Sequence, residues 1–159
     1  MLKKLGIGAY IACAVVVLTI VSWILYGANV AGAGYFQGQD VGFVVLFSIF
    51  AILCEVAAVA IALFAPKDGM VGKVCGILES ALLVGGIVFL MANGMNIIAA
   101  RAQGLGYLFG SDANVAAEFT ADDFASANLA IVSFVFYLVT WLFAAVVPFF
   151  GLTKKEVAE

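Results

Sequence analysis

Histidine is missing from this chain, charged residues make up only 11% of it, and lysine and arginine together number seven against ten acids. Without histidine there is no b-type haem ligation, no ordinary zinc site and no imidazole base. No serine or cysteine has a base placed to activate it, and the acids of the connecting segments do not follow a calcium-loop spacing. The chain is therefore read as non-enzymatic, with no catalytic residue, cofactor or metal site expected. The few basic residues form no patch able to neutralise a phosphate backbone, which argues against nucleic acid as a partner. The three cysteines, Cys13, Cys54 and Cys75, are odd in number, lie inside apolar runs and form no C-x-x-C pair. They read as small packing residues, not as a disulfide or redox framework.

Apolar residues dominate instead: 66% of the 159 residues, with a mean hydropathy of +1.21, against about 45–50% in soluble domains. The charges fall between four apolar runs, Leu5–Tyr26, Val41–Ala65, Val74–Ala100 and Phe124–Phe150. Runs of more than about 18 apolar residues read as helices crossing a bilayer. Continuous apolarity, in place of alternation, excludes barrel strands. The first run is too long for a secretory h-region and lacks an A-x-A site, so an uncleaved first helix is expected. The predicted fold is an all-α four-helix transmembrane bundle forming a single domain, with the lipid bilayer as its first partner.

Six of the seven basic residues, Lys3, Lys4, Lys67, Lys73, Lys154 and Lys155, fall on one side of this arrangement, and Arg101 falls on the other. The positive-inside rule then predicts both termini and the Pro66–Lys73 turn in the cytoplasm, with Gly27–Asp40 and Arg101–Asp123 as outer loops. Acid-rich, lysine-poor outer loops without an N-x-[ST] sequon fit a prokaryotic cytoplasmic membrane. Thr120 with Asp123 three residues later resembles a capping box and marks the start of the fourth helix.

A repeat of loop chemistry is the most specific pattern in the chain. Gly32, Gly34, Tyr35 and Gly38 follow the first span, and Gly104, Gly106, Tyr107 and Gly110 follow the third, both as G-x-G-Y-Φ-x-G. Each second span also ends in proline, Pro66 and Pro148, followed by lysine. The chain thus reads as two tandem helical hairpins, about 1–67 and 73–155, in parallel orientation. The second copy carries an insertion near 111–122, expected to be an exposed loop or short surface helix and the place for a partner contact. The glycine motif lacks the strand-turn-helix context of a phosphate cradle. It is read as a tight turn with aromatic anchors at the membrane surface.

Each span also carries a stripe of small or polar residues at alternating spacings of four and three. Helix association in lipid requires such stripes, because lipid tails offer no hydrophobic drive. The stripes include Ala58 and Ala62 in the second span and Gly72, Gly76 and Gly86 in the third. Two acids lie within the spans, and Glu55 and Glu79 count to equal depths, roughly 15 Å, from the turn that joins their helices. Thr19 and Tyr137 count to the same layer. These four residues are the candidate midplane proton or cation site. Two carboxylates at that depth would repel, so at least one is expected to hold a proton at pH 7.

Four short-looped spans with both ends inside resemble tetraspan proteins in general. The cysteine pair of claudin-like proteins and the glycine-dense inner helix of rotary-ATPase proteolipids are not found here. Two functions follow as expectations. One is an accessory or assembly subunit that forms homo-oligomers or docks to a larger membrane complex. The other is a small channel or ion- or proton-coupled transporter using Glu55 and Glu79.

Overall fold

A computed structural model describes residues 5–66 and 68–153. It contains α1 (Ile7–Ala31), α2 (Val44–Phe64), α3 (Gly69–Gly110), the short α4 (Ala113–Ala116), α5 (Ala121–Val146) and a closing 3-10 turn, Val147–Phe149. Among the described residues there is no strand beyond a single bridge between Leu5 and Thr153. Four helices are long and apolar enough to cross a membrane, α1, α2, α3 and α5 extended through Phe149. Lys3, Lys4, Lys67, Lys154 and Lys155, which carry most of the positive-inside argument, lie outside the described residues.

Packing follows the stripes. The inner face of α1 is Gly8, Ala12, Val15, Thr19, Ser22, Tyr26 and Asn29, and that of α2 is Val44, Ser48, Ala51, Glu55, Ala58 and Ala62. In α5 it is Ser126, Ala130, Ser133, Tyr137, Thr140 and Ala144. Steps of four and three average 3.5 residues, the period that keeps one seam facing its neighbour. The opposite faces expose Val, Ile, Leu and Phe side chains such as Ile24, Leu53, Val88 and Phe143. Such a surface is suited to lipid, because a soluble protein rarely exposes apolar area on this scale. α1 packs on α2 and α5, and α3 packs on the same two helices, which closes the four into a ring.

Contacts between α2 and α3 set their register. Asn93 donates to Ser48, Glu55 lies against Gly86, and Ala62 shares a cavity with Glu79. Rising numbers on one helix meet falling numbers on the other, so the two run in opposite directions. Gly69, at a φ of +72°, opens α3 after the short connection from α2.

Several boundaries differ from the sequence reading. α1 continues to Ala31 instead of stopping at Tyr26, and α3 begins at Gly69 instead of Val74. More consequentially, α3 runs through 101–110, which the sequence assigns to an outer loop. α2 starts only at Val44, level with Asn93, whose amide donates to the Val44 carbonyl at 3.1 Å. Beyond that level the corner above α2 is filled by segment 32–43. Phe36 from this segment is buried in the bundle, and its N–H donates to Ser126 Oγ at 3.2 Å. The remaining turns of α3 pack on that plug and on α5, and this tertiary support holds their glycines in helix.

Local capping explains the remaining turns. The Asp112 carboxylate accepts from the N–H groups of Asn114 and Val115 at 3.0 and 3.1 Å, which starts α4. Thr120 and Asp123 form the predicted capping box at the start of α5: Thr120 N–H donates to the Asp123 carboxylate at 2.8 Å, and Asp123 N–H donates to Thr120 Oγ1 at 3.3 Å. At the other end of the bundle, Gly6 N–H donates to the Leu152 carbonyl at 2.8 Å. Gly6 and Gly8 there lie so close to the carbonyls of Gly151 and Phe150 that no side chain fits at either position. The two ends are called below the loop end, carrying 32–43 and 111–120, and the terminal end, where α1 begins and the 3-10 turn closes.

Candidate functional site

Polar side chains are expensive to bury unless they are bonded, yet ten of them lie buried among the described residues, spread from the loop end to the middle of the bundle. At the loop end Arg101 is 2% exposed. Its guanidinium donates to the Gln39 backbone carbonyl at 2.6 Å and lies 4.5 Å from the centre of the Phe36 ring. This combination of a directed donor and a planar stack is one that arginine supplies and lysine does not. Beside it the Tyr26 hydroxyl donates to the Asp40 carboxylate and accepts from the Val41 N–H. α1, α3 and segment 32–43 are thereby tied together.

One layer inward, Asn29 of α1 donates to the Ser126 carbonyl of α5 at 2.7 Å. Next comes a junction of three helices: Ser48 of α2 lies 2.8 Å from the Tyr137 hydroxyl of α5, and Asn93 of α3 donates to Ser48 Oγ at 3.0 Å. Ser22 Oγ and Thr140 Oγ1 lie 3.3 Å apart across α1 and α5, and each hydroxyl is also within bonding distance of a carbonyl of its own helix, so a bond across the pair takes the proton of one of them from its carbonyl. Thr19 likewise donates to the Val15 carbonyl at 2.8 Å.

Not every buried polar atom is paired: among the described residues Asn93 Oδ1, Arg101 Nε, Ser133 Oγ and Trp141 Nε1 have no hydrogen-bond partner, and Glu55 is the one acid in this position. It is 1% exposed, and neither carboxyl oxygen has a hydrogen-bond partner among the described residues. Its carboxyl lies in the space opened by Gly86, where an added Cβ would come within 3.0 Å of Oε1. Glu79 is half-buried and lines a cavity of about 230 Å³ at the terminal end with Ala62, Pro66, Gly72, Cys75, Gly76 and Thr153.

The structure does not bring the four predicted midplane residues into one cluster. Glu79 lies seven residues before Gly86, about 10 Å along the helix. Side chains lean toward the N-terminus of their own helix. In two opposed helices Glu55 therefore leans to the loop end and Glu79 to the terminal end, which widens the separation that the register sets. Tyr137 joins Ser48, not Glu55, and Thr19 turns back on its own helix. Of the predicted packing residues, Gly86, Ala58 and Ala62 lie in the buried seam, whereas Gly72 is half-buried and Gly76 is exposed with nothing near its Cα face.

The two glycine-tyrosine motifs adopt different structures. Gly32, Gly34, Tyr35 and Gly38 form the turn after α1, with φ of +113° at Gly34 and +72° at Gly38. Gly104, Gly106, Tyr107 and Gly110 are the last turns of α3, a correction to their reading as a loop. The copies meet face to face. A Cβ on Gly104 would come within 2.7 Å of the Tyr35 ring and 2.8 Å of Phe36, and the rings of Tyr35 and Tyr107 are 6.4 Å apart. Between them opens a groove of about 610 Å³ lined by Tyr35, Phe36, Gln39, Ala100, Gln103, Gly104 and Tyr107. Ser48 and Asn93 fall on the small-or-polar stripes that the sequence shows, though their mutual bond is not readable there, and Arg101 was missed as an anchor of this polar core. Arg101 carried a usable signal, as the one cation among the acids of that end.

No protein-family model, curated protein or solved structure matches the chain.

Proposed function

We propose that this chain is a small non-enzymatic membrane protein, built as two tandem hairpins with both termini in the cytoplasm, that serves as an assembly or accessory subunit. It self-associates or docks to a larger membrane complex through its loop end, in what the acid-rich outer segments mark as a prokaryotic cytoplasmic membrane.

The observation that carries this reading is the length of α3 and what its end displays. Its 42 residues measure about 63 Å at about 1.5 Å per residue, more than the roughly 40–45 Å of a bilayer with its headgroups. The last turns present Tyr107 at 48% and Phe109 at 54% exposure, beside the groove between the two motif copies. Aromatic residues on a rigid support are common anchors of protein interfaces. Gly72 and Gly76 offer a second small-residue face, of the kind that lets helices approach closely in lipid. The axis of the bundle is filled by Tyr137, Leu90, Val15 and Ala51, all fully buried, which favours a scaffold over a solute path.

A photoreactive phenylalanine analogue at Tyr107 or Phe109, activated in native membranes, tests the reading. Adducts to a second copy or to one discrete larger protein are expected. Lipid adducts alone, together with a monomer on sizing in mild detergent, would contradict it.

A further inference from the structure

We propose that Glu55 is a reversible proton-binding site in the middle of the bundle. The proposal goes beyond the assembly role and does not depend on docking.

Geometry narrows the occupant. A carboxylate stripped of water needs donors or a cation, and no described residue donates a hydrogen bond to either Glu55 oxygen. A sodium or calcium ion would need several converging oxygens, and no cluster of acids able to hold a metal occurs among the described residues. A proton needs none, because one oxygen binds it and the resulting hydroxyl is neutral. The site is also made for a carboxyl. Gly86 supplies the gap opposite it, where any larger residue would crowd Oε1, while every flanking position of the α2 seam is alanine or serine.

Small residues separate it from the terminal-end cavity. Ala58 and Ala62 lie on the same seam between Glu55 and the cavity of about 230 Å³. The titratable groups facing Glu55 are few. α3 contributes Glu79 and Cys75 at the cavity and α5 contributes Tyr137, which is engaged with Ser48. On α1, Tyr10 and Cys13 are exposed on the outer surface, and Tyr26 is held by Asp40. Cys54, the neighbour on α2 itself, lies toward Gly85.

A hydrophobic carbodiimide tests the proposal on the full-length protein in liposomes. The carboxyl proton passes to one carbodiimide nitrogen while the carboxyl oxygen bonds the central carbon, and the acyl group then shifts to nitrogen, leaving a stable adduct with nothing lost. Mass spectrometry of the peptides should show one adduct at Glu55, several-fold more at acid than at alkaline pH, and none in Glu55→Gln. A second measurement is the infrared difference spectrum between acid and alkaline pH, which should contain a buried-carboxyl band present in the wild type and in Glu79→Gln and missing in Glu55→Gln. Absence of that band from the wild type, labelling indifferent to pH, or labelling suppressed by sodium at fixed pH would each overturn the proposal.

Discussion

The hydroxyl groups of Tyr137 and Ser48 lie 2.8 Å apart across the centre of the bundle, and Asn93 joins them through Ser48. α2, α3 and α5 are thereby fixed in one register, and the Asn93 amide strengthens the tie by donating to the Val44 carbonyl of α2 as well.

Tyr137→Phe should lower stability by about 1 kcal/mol, within the roughly 0.6–1.7 kcal/mol measured for hydrogen bonds between helices in lipid. Ser48→Ala should cost more, because it leaves both the phenol and one of the two Asn93 amide N–H groups without a partner, the other N–H keeping the Val44 carbonyl. The double variant should be less destabilised than the sum of the two singles, since the shared bond is lost only once. Reversible unfolding in mixed micelles measures all three.

Gly104 and Gly106 make a matched pair. Gly104→Ala places a methyl group against the rings of Tyr35 and Phe36 and should destabilise by about 1–3 kcal/mol, the usual range for overpacking. Gly106 has nothing near its Cα face, so Gly106→Ala should stabilise by up to about 1 kcal/mol through helix propensity alone. Thermal unfolding of the two variants should therefore shift in opposite directions. A loop at 104–110 would give neither result.

Arg101→Lys should behave almost as badly as Arg101→Ala. Lysine keeps the charge but loses the planar stack on Phe36, and a buried ammonium without its full set of acceptors is costly. Segment 32–43 should become accessible to protease in both variants, while the terminal end stays protected. Limited proteolysis in detergent reads this directly.

Much of the packing was legible in the sequence. The stripes in α1, α2 and α5 coincide with the buried faces, because in lipid only small or polar residues have reason to repeat at a period of 3.5. The capping box at Thr120 was legible for a similar reason, since its chemistry is local. The end of α3 was not. Glycine at 104, 106 and 110 favours a loop by propensity, and the likeness to 32–38 pointed the same way. What keeps these residues helical is Phe36 and Tyr35 packing onto Gly104, a contact between segments far apart in the chain. Glu55 and Glu79 illustrate the same limit. Counting residues from the turn put them at one depth, but the packed register sets Glu55 against Gly86 and Glu79 beside Ala62, and the lean of each side chain along its own helix carries the carboxyls further apart.

The account rests on four spans that leave the loops around Asn114 on one face of a membrane and the chain ends on the other. The direct test places single cysteines in a variant lacking Cys13, Cys54 and Cys75 and treats intact cells with a membrane-impermeant maleimide. Asn114→Cys should be labelled at once, and Lys155→Cys only after the membrane is opened. Labelling of Lys155→Cys in intact cells, or equal labelling of both, would contradict the account.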